Sequence, residues 1–524
     1  MRPLNDYILR LSKRAEKYSI EQLVASFVDV GPLFTLLSNT DNQIIFGRRG
    51  TGKTHVLSYL NNDLSSRGIT TIQVDMRTMG STGGIYSDPS LPIAERASRL
   101  LSDALCAIHD GILEICVEDN NGVYDLSRLA QSLDNLAEHI TAVTVSGTVT
   151  TSVAENASSN LNQSVEAKIG VSNNGIDTSV GGSQSSGQIE SIAESRQETG
   201  AERLRIHFGA VTRDIQRIVG ELPNKQLWVL LDEWSEIPLD LQPFLADLLR
   251  RTLYPVDGVT VKIAAIEQRC NFRQYLETGE SYIGIEIGAD ASASLNLDEF
   301  MVFDNNDDQA KDFFGNLLYK HVRSVSSERD IPQSKSRFIN DLFTQQGAFE
   351  EFVRASEGVP RDAINIASLS AQKAMDKQIS IPHIRESARN WFHRSKNQAI
   401  SSRDDATKLL EWIINEVIGQ RQARAFLLRS NVNDPLISLL YDARILHLLK
   451  QGVSAQLLPG QRFNVYALDY GCYVDLIATT RAPKGLLIDE MESGEVEYIE
   501  VPKTDFRSIR NSVLDLDNYY QTTA

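Results

Sequence analysis

A glycine-rich loop between a predicted strand and a predicted helix constrains this chain more than any other feature of its sequence. The loop fits the pattern GxxxxGK[ST] and reads Gly47-Arg48-Arg49-Gly50-Thr51-Gly52-Lys53-Thr54. The strand candidate QIIF precedes it, and the helix candidate VLSYLNNDL follows it. In that setting, backbone N–H groups at a helix N-terminus turn towards phosphate oxygens. The loop therefore predicts a phosphate-binding site inside an α/β fold.

Individual positions of the loop predict distinct contacts with a bound triphosphate. Lys53 is expected to neutralise the β- and γ-phosphates, and Thr54 to hold a magnesium ion. His55 directly follows the loop and is expected to pack or to lie near the nucleotide rather than to catalyse. The predicted nucleotide-binding residues are Gly47, Arg48, Arg49, Gly50, Thr51, Gly52, Lys53, Thr54 and His55. An ordinary glycine-rich turn is the alternative interpretation.

Two acidic residues follow an apolar run in the middle of the chain. The run LWVLL, residues 227–231, predicts a buried central strand, and Asp232 and Glu233 come directly after it. Asp232 is expected to bind magnesium through water, and Glu233 to activate the attacking water as a general base. The pair favours hydrolysis over binding alone, although an ordinary solvated acid pair at a strand end would give the same pattern.

The order of predicted elements indicates an α/β fold, a parallel sheet with helices on both faces. Strands are predicted at residues 43–46, 70–76 and 227–231 and from Val259, with helices at 93–113 and 189–219. At roughly 100–200 residues per domain, 524 residues predict three or four domains. We place an α/β core at 1–300, a helical lid at 301–395, a winged-helix-like domain at 404–484 and an acidic tail at 485–524.

Residues 140–187 interrupt this pattern with a segment rich in Ser, Thr, Gly, Asn and Val. Val165, Ala167, Ile169 and Val171 alternate with polar residues, which predicts β-hairpins with a weakly specified register. We interpret the insertion as a flexible or β-rich arm that contacts a partner or a neighbouring subunit. A disordered linker and strands that pair between subunits into a membrane barrel are the alternatives.

Helical patterns dominate from about residue 300, and strands return near the carboxyl end. Pro360 suits the first turn of a helix in the predicted lid. After a polar linker at 394–403, two predicted helices, TKLLEWIINEVI and DPLISLLYDARILHLL, precede two predicted strands, FNVYALD and GCYVDLIAT. Helices followed by a hairpin indicate a winged-helix-like domain, and the acid-rich end predicts a loosely held tail.

This order of elements resembles the AAA+ ATPases, particularly the origin-recognition-like initiator clade and its prokaryotic relatives, with some likeness to STAND switch ATPases. The resemblance covers about residues 15–480 and implies ATP and magnesium as cofactors. It also implies a polar residue that senses the γ-phosphate after the strand at 259, for which Gln268 and Arg269 are both candidates. The motif EGVPR implies that Arg361, at the start of a lid helix, reaches the γ-phosphate.

The resemblance further implies a homo-oligomer. In this family a neighbouring subunit inserts an arginine, because negative charge develops on the γ-phosphoryl oxygens in the transition state. Arg250, Arg251 and Arg273 are possible donors, but none has a distinctive sequence context, and a surface or structural role is the favoured interpretation of each.

Duplex DNA is a possible partner of the winged-helix-like domain. The chain carries a net charge of -17, which disfavours indiscriminate coating of nucleic acid. Residues 404–484 contain nine Lys and Arg against eight acidic residues. Only Arg444, His447, Lys450 and Arg462 are placed to form a basic DNA-contacting face. Docking of a protein on this domain is an equally supported alternative.

The ends and the cysteines of the chain suggest its compartment. The amino terminus lacks the apolar core of a signal peptide, and no apolar run approaches the length of a membrane-spanning helix. The four cysteines form no CxxC pair, and the histidines show no metal-binding spacing. These features predict a cytoplasmic protein with no helical membrane anchor and no zinc site.

The sequence as a whole predicts a magnesium-dependent ATPase switch, with nucleotide between the α/β core and the helical lid. Its output would be controlled engagement of DNA or of a partner protein, and the prokaryotic relatives suggest a role in antiphage defence. The rival hypothesis is a non-hydrolysing, ATP-bound scaffold that recruits an effector protein through its insertion and acidic tail.

Overall fold

The structure is a computed structural model. It describes residues 3–79, 86, 88, 90–119, 122–153, 167–169, 194–204, 206–275, 281–298, 307–326, 331–421, 423–454, 460–474, 487–490, 496–499 and 513–523. The predicted GCYVDLIAT strand extends beyond these ranges, as do most of the insertion and much of the tail.

Helices and strands within these ranges are numbered in chain order. The helices are α1 Pro3–Arg10, α2 Ile20–Ser26, α3 Leu33–Leu37, α4 Lys53–Ser66, α5 Ile93–Val117, α6 Leu126–Thr141, α7 Phe208–Glu221, α8 Gln242–Thr252, α9 Asp307–Val325, α10 Lys335–Leu342, α11 Gln346–Ala355, α12 Pro360–Ala374, α13 Ile381–Trp391, α14 Asp404–Ile414, α15 Pro435–Asp442, α16 Tyr470–Tyr473 and α17 Leu516–Thr523. The strands are β1 Gln43–Phe46, β2 Thr70–Asp75, β3 Val143–Val153, β4 Ala167–Ile169, β5 Glu194–Leu204, β6 Leu227–Asp232, β7 Val259–Ala265, β8 Arg273–Tyr275, β9 Tyr282–Gly284, β10 Ser292–Asn296, β11 Ala425–Arg429, β12 Leu446–Ser454, β13 Arg462–Leu468, β14 Leu487–Glu490 and β15 Val496–Ile499. None of the described helices combines the length and the apolar character needed to cross a lipid bilayer.

A five-stranded parallel sheet in the order β10-β1-β7-β6-β2 forms the centre of the core. Every residue of β6 and β7 is buried, because helices cover both faces of the sheet. Asp75 pairs in register with Asp232, and Phe46 with Ala265. Parallel strands end at one edge of a sheet, so the segments that follow these residues meet there. The predicted α/β fold class is confirmed.

The first helices pack with the lid as well as with the core. Nδ2 of Asn5 in α1 donates to the carbonyls of Met375 and Lys377, at 2.8 and 2.9 Å, just after lid helix α12. Helices α9–α13 form the lid itself, and Phe314 and Phe338 are fully buried within it. The division at residue 300 therefore omits part of the lid packing, which the amino-terminal helices supply.

The carboxyl-terminal domain is built on a three-stranded antiparallel sheet in the order β11-β13-β12. The predicted helix DPLISLLYDARILHLL ends at Asp442, because Arg444 has the left-handed φ of 61° and ILHLL enters strand β12. The start of the predicted strand GCYVDLIAT is instead helix α16, where the Asp469 carboxylate accepts the N–H of Gly471 at 3.0 Å. Both predictions were wrong at these points, since short apolar runs fit either period.

Two segments expected to be loose are packed. The predicted polar linker at 394–403 begins in a π-helical turn, Phe392–Asn397, whose Lys396 is buried. At the far end of the chain, Leu514 and Tyr519 are buried, and the Tyr519 ring lies 5.0 Å from that of Trp412. The prediction of a loosely held tail is therefore wrong for the described residues 513–523, whose apolar side chains close the domain.

Strands β3 and β4 of the insertion form an antiparallel sheet in the order β4-β3-β5 with β5, which follows the insertion, and β3 and β5 pair over eleven residues. Strand β4 confirms one of the predicted alternating segments, while Val165 and Val171 lie outside the described residues. The helix predicted at 189–219 is wrong in its first half, since β5 ends at Leu204 and α7 begins at Phe208.

Candidate nucleotide-binding and catalytic site

The glycine-rich loop joins β1 to α4 in a conformation that requires glycine at two positions. Gly50 and Gly52 have φ of 92° and 97°, in the left-handed region that side chains with a Cβ rarely adopt. A Cβ on Gly50 would also lie 2.8 Å from the Cβ of Arg361 in the lid. Glycine at position 50 thus allows the loop to turn and the lid to approach it.

Lys53, the first residue of α4, is buried at the bottom of the loop. Its ammonium donates to the carbonyls of Gly47 at 2.7 Å and Arg48 at 3.1 Å. Burial lowers the pKa of Lys53, and the nearby carboxylates of Glu233 and Asp232 oppose that effect. The ammonium is therefore held where phosphate oxygens would replace carbonyls as its acceptors.

Asp232 ends β6 and is buried beside the start of α4. Its carboxylate accepts a hydrogen bond from the Thr54 hydroxyl and another, at 2.8 Å, from the backbone N–H of Glu233. Burial raises the pKa of Asp232, and these two hydrogen bonds act against the rise. A hydroxyl and a carboxylate side by side are oxygen ligands that suit Mg²⁺, which keeps several waters and takes few protein ligands.

Glu233 directs its carboxylate into the same space from a left-handed backbone, with φ 55° and ψ 38°. Such a conformation is costly for a residue with a Cβ and is concentrated at functional sites. Burial raises the pKa of Glu233, although the positive charge of Lys53 lowers it. A carboxyl with a raised pKa is a better proton acceptor near neutral pH than a fully solvated one.

Arg77, just beyond the end of β2, is a site residue that sequence reasoning missed. Its guanidinium lies 4.0 Å from the Glu233 carboxylate and pairs with Asp75 at 2.6 Å and Glu16 at 3.0 Å. The signal that could have found it is its place two residues after a strand that neighbours β6. Its charge acts to lower the pKa of Glu233.

A cleft of about 370 Å³ opens between the loop, the lid and the amino-terminal segment. Its wall is formed by Ser12, Lys13, Arg14, Ala15, Glu16, Tyr18, Arg49, Gly50, Gly52, Lys53, Thr54, His55, Arg77, Glu233, Glu236, Leu317, His321, Pro360, Arg361 and Ile364. Arg361, predicted from sequence, lies in this wall, and its backbone N–H donates to the Gly50 carbonyl at 3.1 Å. The cleft thus gathers the loop, Glu233 and the lid arginine, while Asp232 lies buried beside the wall residue Thr54.

His55 lies in the wall of the cleft and is held in its neutral form. Its Nε2–H donates to the Leu23 carbonyl at 2.7 Å, and burial lowers its pKa. Its ring packs edge-on against His321 and Phe27, with centroids 5.8 Å apart in both cases. His55 is therefore a packed residue of the cleft wall, and its closeness to a bound nucleotide stays a prediction.

The two arginines of the loop point in different directions. Arg49 lies in the cleft wall and pairs with Glu236 at 2.5 Å. Arg48 was expected among the nucleotide-binding residues, but its side chain leaves the cleft and is buried. Its guanidinium pairs with Asp298 at 2.7 Å and donates to Nδ1 of His447 at 2.9 Å. For the Arg48 side chain the prediction is wrong, since its partners lie on the side away from the cleft.

Gln268 and Arg269 do not line the cleft, so the structure gives no support to either as a γ-phosphate sensor. After β7 the chain enters a short 3₁₀ helix, Glu267–Arg269, that turns these side chains towards the carboxyl-terminal domain. Arg269 pairs there with Asp442, and Gln268 hydrogen-bonds with Tyr466.

Two of the four residues predicted to face DNA are buried. Arg444 pairs with Asp362 at 3.3 Å and donates to the Arg49 carbonyl at 3.4 Å. His447 donates from Nε2 to Asp469 at 2.9 Å. The prediction is wrong for Arg444, in the turn before β12, and for His447, in β12, because both side chains are buried against carboxylates, whereas Lys450 and Arg462 are exposed. No sequence pattern could have shown this, since the basic residues of an exposed face and those of a buried ion-pair cluster look alike.

The possible arginine donors to a neighbouring subunit are each paired within the chain. Arg250 and Arg251 bind opposite oxygens of Asp247 at 2.7 and 2.6 Å. Arg273 pairs with Glu286 at 2.7 Å. Each would have to leave a carboxylate in order to act elsewhere.

The chain resembles one family model in sequence and solved proteins in structure. No curated protein sequence matches the chain. The Walker-type ATPase PABY2304 of Pyrococcus abyssi has a TM-score of 0.39 and 12% identity, covering 90% of this chain and 99% of its own. The Aeropyrum pernix ORC1 protein in complex with DNA has a TM-score of 0.30 and 12% identity, covering 90% and 96%. The ORC-CDC6-like family model matches residues 11–67, which span the glycine-rich loop, and this match confirms the resemblance to the origin-recognition-like AAA+ ATPases.

Proposed function

We propose that this chain is a magnesium-dependent ATPase that acts as a nucleotide-controlled switch. One observation carries the proposal: Lys53 and Glu233 line a single cleft whose wall also includes the lid residue Arg361, and buried Asp232 hydrogen-bonds with Thr54 of the same wall. A phosphate-binding lysine, a metal-binding carboxylate and a half-buried general base are the parts that hydrolysis of a phosphoanhydride requires.

The chemistry assigned to these residues is in-line attack of water on the γ-phosphorus. Glu233 accepts a proton from the water as its oxygen bonds to phosphorus, and the bond from phosphorus to the bridging oxygen breaks. The bridging oxygen and its electron pair leave with ADP, and inorganic phosphate is the second product. Lys53 and Arg361 would stabilise the negative charge on the phosphoryl oxygens.

Thr54 and Asp232 would hold the magnesium ion. When bound, Mg²⁺ neutralises charge on the β- and γ-phosphates. The raised pKa of Asp232, caused by burial, fits a carboxylate that gains a cation as its partner. Beyond Gly52 the cleft continues into an apolar wall that includes Val28, Val30 and Leu317, which suits the base of the nucleotide.

The switch part of the proposal rests on contacts between the lid and the carboxyl-terminal domain. Arg361 is followed by Asp362, which pairs with Lys396 at 2.9 Å and with Arg444 at 3.3 Å. Movement of Arg361 towards a γ-phosphate would therefore act on the carboxyl-terminal domain directly. This movement would in turn control how the carboxyl-terminal domain engages duplex DNA or a partner protein. The proposal also includes homo-oligomerisation, recruitment of an effector protein and a role in antiphage defence.

ATP turnover of the purified chain tests the proposal. We expect magnesium-dependent release of phosphate by the wild type and its loss in Glu233→Gln, with ADP affinity kept because Gln still fills the wall. The assay includes duplex DNA and a series of protein concentrations. If neither the wild type nor the variant releases phosphate under any of these conditions although ATP binds, the non-hydrolysing scaffold replaces the switch as the proposed function.

A further inference from the structure

Residues 12–18, here called the amino-terminal arm, lie across the mouth of the nucleotide cleft. Six of the seven contribute to its wall: Ser12, Lys13, Arg14, Ala15, Glu16 and Tyr18. No other segment outside the α/β core and the lid enters the wall of this cleft within the described part of the chain. The arm therefore meets whatever the cleft binds.

Contacts from Glu16 and Tyr18 fix the position of the arm. Glu16 pairs with Arg77 at 3.0 Å, which ties the arm to the residue beside Glu233. The Tyr18 hydroxyl donates to the Ser12 carbonyl at 3.0 Å, and the Tyr18 ring packs edge-on against His321 of the lid at 5.8 Å. The arm is thus joined to the core on one side and to the lid on the other.

Arg14, at the centre of the arm, is an exposed cation that lacks a carboxylate partner among the residues the structure describes. Two other arginines of the cleft wall do pair with carboxylates: Arg49 with Glu236, and Arg77 with Glu16. An arginine whose planar donors are unused suits a phosphoryl group, which offers several acceptor oxygens.

Arg14 and Arg361 border the same space from opposite elements. The pKa of Arg361 is lowered first by burial, next by Arg444, and also by the positive charge of Arg14. Two guanidinium groups that repel one another across a cleft are stabilised when an anion enters between them. The terminal phosphate of a nucleotide on the loop is an anion of the required kind.

We propose that Arg14 contacts the γ-phosphoryl group from within the same chain and stabilises the charge that develops there during hydrolysis. The inference rests on the proposed function and deepens it, since it names a further residue for the same reaction. It assigns to an arginine of the same chain a role that the family resemblance assigns to an arginine of a neighbouring subunit. Arg250, Arg251 and Arg273, the possible donors to a neighbouring subunit, are each paired with a carboxylate of their own chain.

The test compares Arg14→Ala with Lys17→Ala, a matched control because Lys17 is an exposed cation of the same arm outside the cleft wall. Removing one charged hydrogen bond lowers a rate constant by about 10- to 100-fold. We expect kcat to fall by that factor in Arg14→Ala, with KM little changed. Lys17→Ala should keep the wild-type kcat, Arg14→Lys should recover part of it, and turnover per subunit should be independent of protein concentration.

A binding measurement tests the same contact without turnover. ADP with aluminium fluoride imitates the transition state, so its affinity should fall in Arg14→Ala while ADP affinity stays at the wild-type value. A wild-type kcat together with unchanged aluminium fluoride affinity in Arg14→Ala would overturn the inference and leave the ATPase intact. A wild type that binds neither ligand would overturn the proposed function as well.

Discussion

Nη1 of Arg48 lies 2.9 Å from Nδ1 of His447, so the second residue of the glycine-rich loop is joined directly to strand β12. Because the guanidinium can only donate, Nδ1 of His447 accepts and its Nε2 carries the proton donated to Asp469. This fixes the neutral tautomer of His447. The loop and the carboxyl-terminal domain therefore share one buried hydrogen-bond chain.

This hydrogen-bond chain is part of a buried cluster in which the positive charges equal the negative charges in number. Its cations are Arg48, Lys396 and Arg444, and its anions are Asp298, Asp362 and Asp469. These six groups come from the loop, the segment after β10, the lid, the turn at Phe392–Asn397 and the carboxyl-terminal domain. Removing one member leaves an uncompensated buried charge, which costs more than the pair itself contributes.

Arg48→Ala is therefore expected to lower the free energy of unfolding by about 3–5 kcal/mol. The loss arises because Asp298 and His447 keep their burial and lose their donor. Urea denaturation measures it, with Arg462→Ala as the control, since Arg462 is an exposed arginine of the carboxyl-terminal domain outside the buried cluster. A change below about 1 kcal/mol in Arg48→Ala would show that the cluster does not hold the loop.

Stability should also depend on pH through two buried histidines. Burial lowers the pKa of His447 to about 4 and that of His321 to about 3, from an ordinary value of 6.5. The unfolded chain therefore takes up protons at a higher pH than the folded chain does. The contribution of the two histidines to the free energy of unfolding is therefore fully present above about pH 6.5 and is lost as the pH drops towards 4.

The charged groups that face His447 also act on its pKa. Arg48 and Lys396 disfavour its protonation, and Asp469 favours it. Denaturation midpoints between pH 4 and 7 measure the effect, and His447→Gln should show a shallower dependence on pH than the wild type. An equal slope in the variant would assign the dependence to other groups.

Arg77→Ala is expected to change the pH profile of turnover through Glu233. The Arg77 charge lies 4.0 Å from the Glu233 carboxylate and lowers its pKa, so its removal raises that pKa. A base with a higher pKa is protonated at higher pH, and the acidic limb of kcat/KM should move upwards. Arg67→Ala is the control, because Arg67 pairs with Asp63 on the surface of α4. A downward shift would mean that Arg77 does not act on the general base.

The parts of the site that sequence could predict are those that depend on local pattern. The loop, Asp232 and Glu233 follow strands whose apolar runs mark them, and Arg361 follows a proline at a helix start. Each of these residues contributes to the site from the strand end, loop or helix start that its own local sequence pattern predicts. The sequence also indicated the parallel sheet, because strands and helices alternate in it.

The parts that sequence could not predict depend on contacts between distant segments. Arg48 and His447 are 399 residues apart, and neither carries a pattern that distinguishes a buried ion partner from a surface charge. The left-handed turn at Arg444 decides that ILHLL becomes a strand, and no glycine marks it. Lys396 lies in a polar stretch typical of a linker, yet two carboxylates make its burial possible.

The same contacts separate two kinds of basic residue in the carboxyl-terminal domain. Lys450 and Arg462 are exposed on β12 and β13, whereas Arg444 is nine-tenths buried against Asp362. If the domain grips duplex DNA, the exposed pair contacts phosphates and Arg444 does not. Each phosphate contact releases condensed counterions, so affinity falls linearly with salt on a logarithmic scale.

We therefore expect the double variant Lys450→Ala with Arg462→Ala to reduce that salt slope by about 2, close to one unit for each lost phosphate contact. Arg444→Ala should leave the slope unchanged and lower the stability of the folded chain instead, as Arg48→Ala does. Titrations of labelled duplex at several salt concentrations measure the slope. If affinity does not depend on salt, or if the double variant keeps the wild-type slope, the protein-docking alternative is favoured. The slope measures release of the counterions condensed on DNA, and protein surfaces lack such a layer.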